Sequence, residues 1–256
     1  NPINDAPAIT LGDPLVIDED TFNQFVDPIT VSDPDNAELR VTISATNGLL
    51  SVGNNGGISY LSGDGFADPT MTYTGTIGAI NNALGSTVYT PNANYHGTAI
   101  ITITVDDDLS GGGLTDTKML NVTVNPINDL PEISLPAAFT TDEDAGNVFF
   151  GAVTISDIDA DENTVFRMTI SCTNGVFTLG NQAGLNFIEG NGFQNAQMTF
   201  TATLNSLNAV LLENAKVFVP DANYFGPASI VFTVYDNENG TGTATTEQLD
   251  ITINPI

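Results

Sequence analysis

Basic side chains are almost missing from this chain. Its 256 residues carry 4 Lys and Arg against 31 Asp and Glu, a formal charge of −27. Nucleic acids and anionic membranes are held by basic surfaces, so neither is a partner through charge. Tryptophan is absent, and cysteine occurs once, as Cys172. One thiol makes no internal disulfide. Secreted eukaryotic domains often carry such bridges, so the lone thiol leans toward a bacterial or similar surface protein with another source of stability. No run approaches the ~20 apolar residues of a membrane span. The start also lacks the basic and apolar regions of a signal peptide. Since it opens and closes on linker-like sequence, the chain reads as part of a longer exported protein. Charged residues make up only 14 % and hydrophobic ones 41 %, which excludes an acidic solvating tail and provides for a real core.

What is present is a repeat. Asn1-Pro2-Ile3-Asn4-Asp5-Ala6-Pro7 returns as Asn125-Pro126-Ile127-Asn128-Asp129-Leu130-Pro131, and Asn254-Pro255-Ile256 starts the motif again. Between these markers the order holds. Asp18-Glu19-Asp20 matches Asp142-Glu143-Asp144, and Arg40 to Gly48 matches Arg167 to Gly175. Gly63-Asp64-Gly65-Phe66 matches Gly190-Asn191-Gly192-Phe193, and Ala93-Asn94-Tyr95-His96-Gly97 matches Ala222-Asn223-Tyr224-Phe225-Gly226. Two homologous domains are expected, 1–127 and 128–256.

Each repeat reads as all-β. Ile100-Ile101-Thr102-Ile103-Thr104-Val105 and Leu120-Asn121-Val122-Thr123-Val124 are rich in β-branched residues, and several such runs alternate apolar with polar, as half-buried strands do. Gly, Asn and Asp clusters separate them at short intervals, the pattern of an antiparallel Greek-key, Ig-like β-sandwich. One stretch departs from period two. Ile77, Ile80, Asn81 and Leu84, like Leu204, Leu207, Asn208 and Leu211, recur at helical spacing behind Thr76 and Thr203. A short helix over one sandwich edge or end is predicted, with those threonines as N-caps.

The acids kept in both copies fall near strand ends: Glu19 and Glu143, Asp33 and Asp157, Asp35 and Asp159, Asp107 and Asp236. Calcium takes about 6–8 oxygen ligands, and a fold that brings separate loops together can supply them. A lone Asp in such a place is more often a turn residue, but turns do not require the same acids across four separated segments.

The order of these residues resembles the cadherin repeat. Ile17-Asp18-Glu19-Asp20-Thr21 resembles that family's Pro-Glu-Asn segment, and Asp157-Ile158-Asp159 its Asp-x-Asp loop. Val124 to Pro131 resembles its linker, and Thr233-Val234-Tyr235-Asp236 its terminal Asp. With the inserted Gly-x-Gly-Phe and helix region, the likeness is to cadherin-like repeats of giant bacterial surface and RTX-type adhesins. Two features differ: the linker is one residue shorter before its proline, and Pro91-Asn92-Ala93-Asn94-Tyr95 stands where the family has Leu-Asp-Arg-Glu. The resemblance implies one complete calcium junction, with Glu19 from the first domain, Asn128 and Asp129 from the linker, and Asp157, Asp159 and Asp236 from the second. It implies a half-site of Asn4, Asp5, Asp33, Asp35 and Asp107, and leaves Glu143 for a further repeat.

Other signals are weaker. Asp157, Asp159 and Asp161 alternate as in an EF-hand, but Glu162 takes the glycine position and Met168 the bidentate glutamate position. His96 aligns with Phe225, which predicts aromatic packing. Cys172 aligns with Ala45, a small residue in a packed strand. Arg40 and Arg167 are expected to pair with nearby carboxylates, and Tyr95 and Tyr224 to pack at a corner. No zinc-protease, phosphate-loop or nucleophile motif is present, so no enzyme is expected. The expected role is a calcium-stiffened extender of an extracellular adhesin or surface fibre, with neighbouring repeats as partners. Direct adhesion, to glycan or another copy, is the alternative, and solubilisation in high salt a third reading.

Overall fold

The computed structural model describes residues 3–161, 163–212 and 216–256. Asn1 and Pro2 of the opening motif, and Glu162 of the EF-hand comparison, lie outside the described residues. The chain divides into two compact units, Asn1–Ile127 and Asn128–Ile256. Each is a β-sandwich carrying one short helix.

In the first unit, a six-stranded sheet runs in the order β2 (Leu15–Asp18), β11 (Thr115–Asn125), β10 (Gly97–Asp106), β5 (Glu38–Ala45), β8 (Thr70–Thr76), β7 (Ile58–Ser62). Opposite lie a three-stranded sheet, β3 (Gln24–Phe25), β9 (Thr87–Pro91) and β6 (Gly48–Val52), and the pair β1 (Ala8–Thr10) and β4 (Thr30–Ser32). Period two explains the burial. In β10, Ala99, Ile101, Ile103 and Val105 are buried while the residues between them are not. β2 runs parallel to β11, and the remaining pairs are antiparallel.

The helix α1 (Ile77–Leu84) buries Ile80, Ala83 and Leu84, the face set by its 3.6-residue period. Thr76 is its N-cap, its hydroxyl accepting from the Ala79 N–H at 3.3 Å. Asn81 does something periodicity could not show. Its side chain accepts from the Val31 N–H at 2.7 Å and donates to the Val31 carbonyl at 3.0 Å. The carboxamide thereby stands in for a neighbouring strand and closes the outer edge of β4, satisfying backbone groups that burial would otherwise penalise.

The second unit repeats this plan. Its large sheet is β13 (Phe139–Asp142), β22 (Thr245–Asn254), β21 (Gly226–Tyr235), β16 (Val165–Thr173), β19 (Gln197–Thr203), β18 (Asn186–Glu189). The small sheet is β14 (Val148–Phe149), β20 (Lys216–Pro220), β17 (Gly175–Leu179), beside the pair β12 (Glu132–Ser134) and β15 (Thr154–Ser156). In α2 (Leu204–Val210), Asn208 closes β15 through both backbone groups of Ile155, each at 2.8 Å. Thr203 holds the N-cap position, but its side chain makes no bond to the helix backbone. Its hydroxyl donates to Ser206 Oγ at 3.2 Å instead, so the expected second cap is not formed.

Both sandwiches leave no room at one matched glycine. A Cβ on Gly48 would lie 2.5 Å from the Thr90 carbonyl and from the Tyr89 ring, and one on Gly175 2.3 Å from the Phe218 ring. The glycine of each repeated Thr-Asn-Gly therefore lets the chain pass directly over a core aromatic of the next strand.

Candidate metal centre

In each unit the repeated acids gather at one end, where the entering segment meets two loops. In the first unit, Asn4 Nδ2 donates to Asp107 Oδ2 at 2.5 Å, and the Asp5 N–H to Asp35 Oδ2 at 2.8 Å. Asp33 Oδ1 accepts from the N–H groups of Asp35 at 2.8 Å and Asn36 at 2.7 Å, an Asx turn that folds the β4–β5 loop back on itself. Asn36 Nδ2 reaches Asn4 Oδ1 at 3.3 Å. The second unit repeats these contacts except the last, since Ala160 stands where the first has Asn36. Asn128 Nδ2 donates to Asp236 Oδ2, and the Asp129 N–H to Asp159 Oδ2 at 2.6 Å. Asp157 Oδ1 accepts from Asp159 at 2.9 Å and Ala160 at 3.0 Å.

The electrostatics of these ends are unbalanced. Asp33 Oδ2 is buried with no hydrogen-bond partner among the described residues. Burial pushes the Asp157 carboxyl above the ordinary range. Its two N–H donors oppose that shift, and the like charges of Asp159 and Asp236 add to it. Among the described residues the single ion pair is Lys118 with Asp116, at 3.3 Å, so neither cluster has a protein cation.

The donor chemistry fits a hard cation. Asp33, Asp35 and Asp107, or Asp157, Asp159 and Asp236, supply carboxylate oxygens from separate loops, and Asn4 or Asn128 a carboxamide. As the side chains stand, however, no group of three or more His, Cys, Asp or Glu is drawn close enough to hold a metal, among the described residues. The asparagine donors, and the backbone N–H groups filling one oxygen of Asp33 and Asp157, stand where a cation would require oxygens turned inward.

The two glutamates occupy the other end of each unit. Glu19 is 3 % exposed. Its N–H donates to the Asn125 carbonyl at 2.9 Å, and its Oε1 accepts from the Ile127 N–H at 2.7 Å. Glu143 repeats this with the Asn254 carbonyl at 2.8 Å and the Ile256 N–H at 2.9 Å. Within its own unit, each glutamate therefore fixes the exit of the last strand and is not gathered with the aspartates. The flanking acids are equally occupied. Asp18 and Asp142 accept from Asn125 and Asn254, while Asp20 and Asp144 accept from the N–H groups of Asn94 and Asn223, both at 2.9 Å. This last contact gives the Asn-Ala-Asn-Tyr segment a structural use that the sequence did not reveal.

Several expectations change. His96 and Phe225 are exposed, so the matched aromatics do not pack in the core. Arg40 Nη1 donates to the Ser110 carbonyl at 2.8 Å and Arg167 Nη1 to the Asn239 carbonyl at 2.9 Å. They brace the β10–β11 and β21–β22 loops through backbone carbonyls and close no ion pair among the described residues, although Arg40, after the Ser110 hydrogen bonds, helps hold the Asp108 carboxyl low. Tyr95 and Tyr224 do make corners, donating to the carbonyls of Thr98 at 2.7 Å and Pro227 at 2.8 Å. Burial pushes the Cys172 thiol up to about 12, so it is protonated and unreactive at neutral pH.

No family model matches the chain, and no curated protein matches it. Among solved structures, Drosophila N-cadherin EC1-4 is similar at 14 % identity and a TM-score of 0.36, over 99 % of this chain and 50 % of that one. This chain thus spans half the length of that structure. Human CDH23 EC21-23 is similar at 13 % identity and 0.38, over 96 % and 70 % of the two chains. The D00-D0 domain of intimin is similar at 11 % and 0.29, over 96 % and 99 %. At such scores and identities these likenesses lend this chain no function. The β-sandwich assignment stands on its own strand order.

Proposed function

We propose that this chain is a structural extender segment of a long extracellular adhesin or surface fibre of the bacterial RTX type, built from two cadherin-like repeats and stiffened by calcium. The observation that carries the reading is the aspartate cluster found in both units, with a buried carboxylate oxygen on Asp33 that has no partner among the described residues. Clustered carboxylates without a cation repel, and their burial costs free energy that a divalent ion offsets. In the first unit Asn4, Asp5, Asp33, Asp35 and Asp107 would hold calcium. In the second, Asn128, Asp129, Asp157, Asp159 and Asp236 would do so. The resemblance adds Glu19 to the second set and assigns Glu143 to a following repeat. Calcium supplies charge neutralisation and fixes the loops that carry its ligands.

The test is calcium-dependent melting of the whole chain and of the Asp33→Ala, Asp157→Ala and double variants, with scattering in calcium and in chelator. The expected result is a calcium-raised Tm that each variant partly loses, and a loss of interdomain stiffness in chelator. Equal melting and equal scattering curves in both conditions would sink the reading. If stability follows sodium chloride and ignores millimolar calcium, the acidity serves solubility in salt.

Most exposed aromatics recur in both repeats, which favours an extender over a dedicated ligand site; the exception is Phe22, 76 % exposed where the second unit has Gly146. Phe25 and Phe149 are matched and both exposed, as are Phe66 and Phe193. A site for one ligand would set the repeats apart at these positions. Retention on a glycan array would reverse that preference.

A further inference from the structure

Beside β12, the second unit has a groove of about 480 Å³ whose lining includes Leu130, Glu132, Ile133, Thr245 and Glu247. Its backbone wall follows from the pairing register. Ile133 lies opposite Ile155 in the β12–β15 pair, and both backbone groups of Ile155 are taken by Asn208. That position is therefore a non-hydrogen-bonded pair, and the N–H and C=O of Ile133 point away from β15, toward β22. Nothing among the described hydrogen bonds meets the Ile133 N–H.

The first unit shows the same place closed. Ile9 lies opposite Val31 in the β1–β4 pair, and Asn81 takes both backbone groups of Val31. Here the outward Ile9 N–H donates to Asp116 Oδ2 at 2.9 Å, and Lys118 lies 3.3 Å from Asp116 Oδ1. Matched hydroxyl pairs, Thr104 with Thr117 and Thr233 with Thr246, fix the alignment of the two units. By that alignment Asp116 becomes Thr245, Lys118 becomes Glu247 and Ala8 becomes Glu132. Thr245 does not replace the cap, because its hydroxyl donates to the Pro131 carbonyl at 2.5 Å.

We infer that the second unit carries an open strand-addition groove for an extended basic peptide. The peptide backbone pairs with the outward-pointing N–H and C=O of Ile133, as guest strands do at open sheet edges. Alternate side chains then bring Lys or Arg to Glu132 and Glu247, while an apolar residue between them meets Leu130. Charge complementarity selects this occupant over a second copy of the chain, since two surfaces of a −27 protein repel.

The experiment measures fluorescence anisotropy of two labelled hexapeptides, Thr-Lys-Val-Lys-Val-Thr and its counterpart with Glu in place of each Lys, with the full chain in calcium and in chelator. The Ile133 amide resonance is followed in parallel. Saturable binding of the basic peptide alone, with a shift of that resonance, is expected. Thr245→Asp transplants the first unit's cap and should weaken binding about tenfold or more, the equivalent of one lost hydrogen bond to a charged partner. Glu247→Lys, an exposed change that leaves the groove's shape, should weaken it in the same direction. Unchanged binding by both variants marks attraction to the acidic surface at large and overturns the proposal. So does an unmoved Ile133 resonance, absence of binding to the parent chain, or concentration-dependent dimerisation that the peptide fails to displace. Because the groove uses none of the clustered aspartates, loss of calcium binding leaves this outcome independent.

Discussion

The two units share strand order, helix, loop aspartates and corner tyrosines, yet their interiors are chemically different. Where the first has Leu15, Val26, Leu50 and Ile103, the second has Phe139, Phe150, Phe177 and Phe232. Those four rings form a ladder with centroids 5.4, 6.0 and 6.3 Å apart. Where the first unit buries the Thr87 hydroxyl against the Ala83 carbonyl, the second buries Lys216 completely. The Lys216 ammonium donates to the carbonyls of Gly151 at 2.8 Å, Leu212 at 3.1 Å and Phe150 at 3.5 Å, and lies 4.5 Å from the Phe150 ring centroid. One backbone plan thus tolerates an aliphatic core or an aromatic one with a solvated-in-protein cation. The lesson is that the surface loops, and not the packing details, are what the repeat has kept.

The largest expected break in this comparison is Lys216→Met. It leaves carbonyls that burial makes costly, and should lower the stability of the second unit by about 3 kcal/mol, read as a fall of roughly 10 °C in its Tm. Thr87→Val in the first unit removes one hydroxyl bond at nearly constant volume and should cost visibly less.

Next come three tyrosines of the first unit, Tyr60, Tyr73 and Tyr89, that are phenylalanines in the second. Tyr73 and Tyr60 meet edge to face at 5.8 Å, and neither hydroxyl has a partner among the described residues. Burial, and then the neighbouring Tyr60, push the Tyr73 phenol well above its ordinary range. Tyr73→Phe, copying Phe200, should therefore stabilise the first unit by about 1 kcal/mol. Tyr89 is pushed up to about 12 by burial and then by Tyr95, but its hydroxyl donates toward the carbonyls of Thr46 at 3.1 Å and Asn47 at 3.0 Å. Tyr89→Phe should destabilise by about 1 kcal/mol. Denaturant midpoints of the two variants moving in the same direction would refute the distinction.

Smaller still is the helix start. Thr76→Ala removes a real cap and should cost about 0.5–1 kcal/mol, whereas Thr203→Ala should leave the midpoint of the second unit nearly unchanged.

The mildest expected difference is in pH response without calcium. Asp157 has a raised folded pKa, so its contribution to stability is present below the ordinary value of about 3.9 and is lost as pH rises through the raised one. Asp116 is held low, chiefly by the Ile9 N–H, and by Lys118. Its contribution is present above the ordinary value and is lost as pH falls through the lowered one. Asp157→Asn should therefore raise the neutral-pH Tm of calcium-free second unit, and Asp116→Asn should lower that of the first. Calcium added to the parent chain should remove the Asp157 effect.

Much of the fold was legible because local chemistry dictates it. Period-two runs such as Ile101, Ile103 and Val105 became the buried face of β10, and the spacing of Ile80 and Leu84 became α1. The aspartates recognised by their repetition lie at the loop ends of their units, but as they stand not close enough together to hold a metal, among the described residues. What sequence could not show were contacts made across long separations by residues with ordinary local roles. Asn81 looks like one more helical position until Val31, fifty residues away, is seen in its grip. Arg40 and Arg167 were read by charge, but their loops offered carbonyls closer than carboxylates. His96 was read from its aromatic counterpart, and both side chains face solvent. Lys216 had no signal at all, because the carbonyls of Phe150, Gly151 and Leu212 that receive its ammonium come together only in the fold.

The parallel pairing of β2 with β11 has a mechanical consequence. Leu15 to Asp18 lie against Val122 to Asn125, and Phe139 to Asp142 against Ile251 to Asn254. In each unit the early strand and the final strand run the same way. Pulling the incoming chain backward and the outgoing chain forward slides these two strands past each other along their length. The load falls on all the hydrogen bonds of the pair at once and not on one after another, as in peeling. Each sandwich is thereby wired as a lap joint, strongest along the direction in which a tether is stretched.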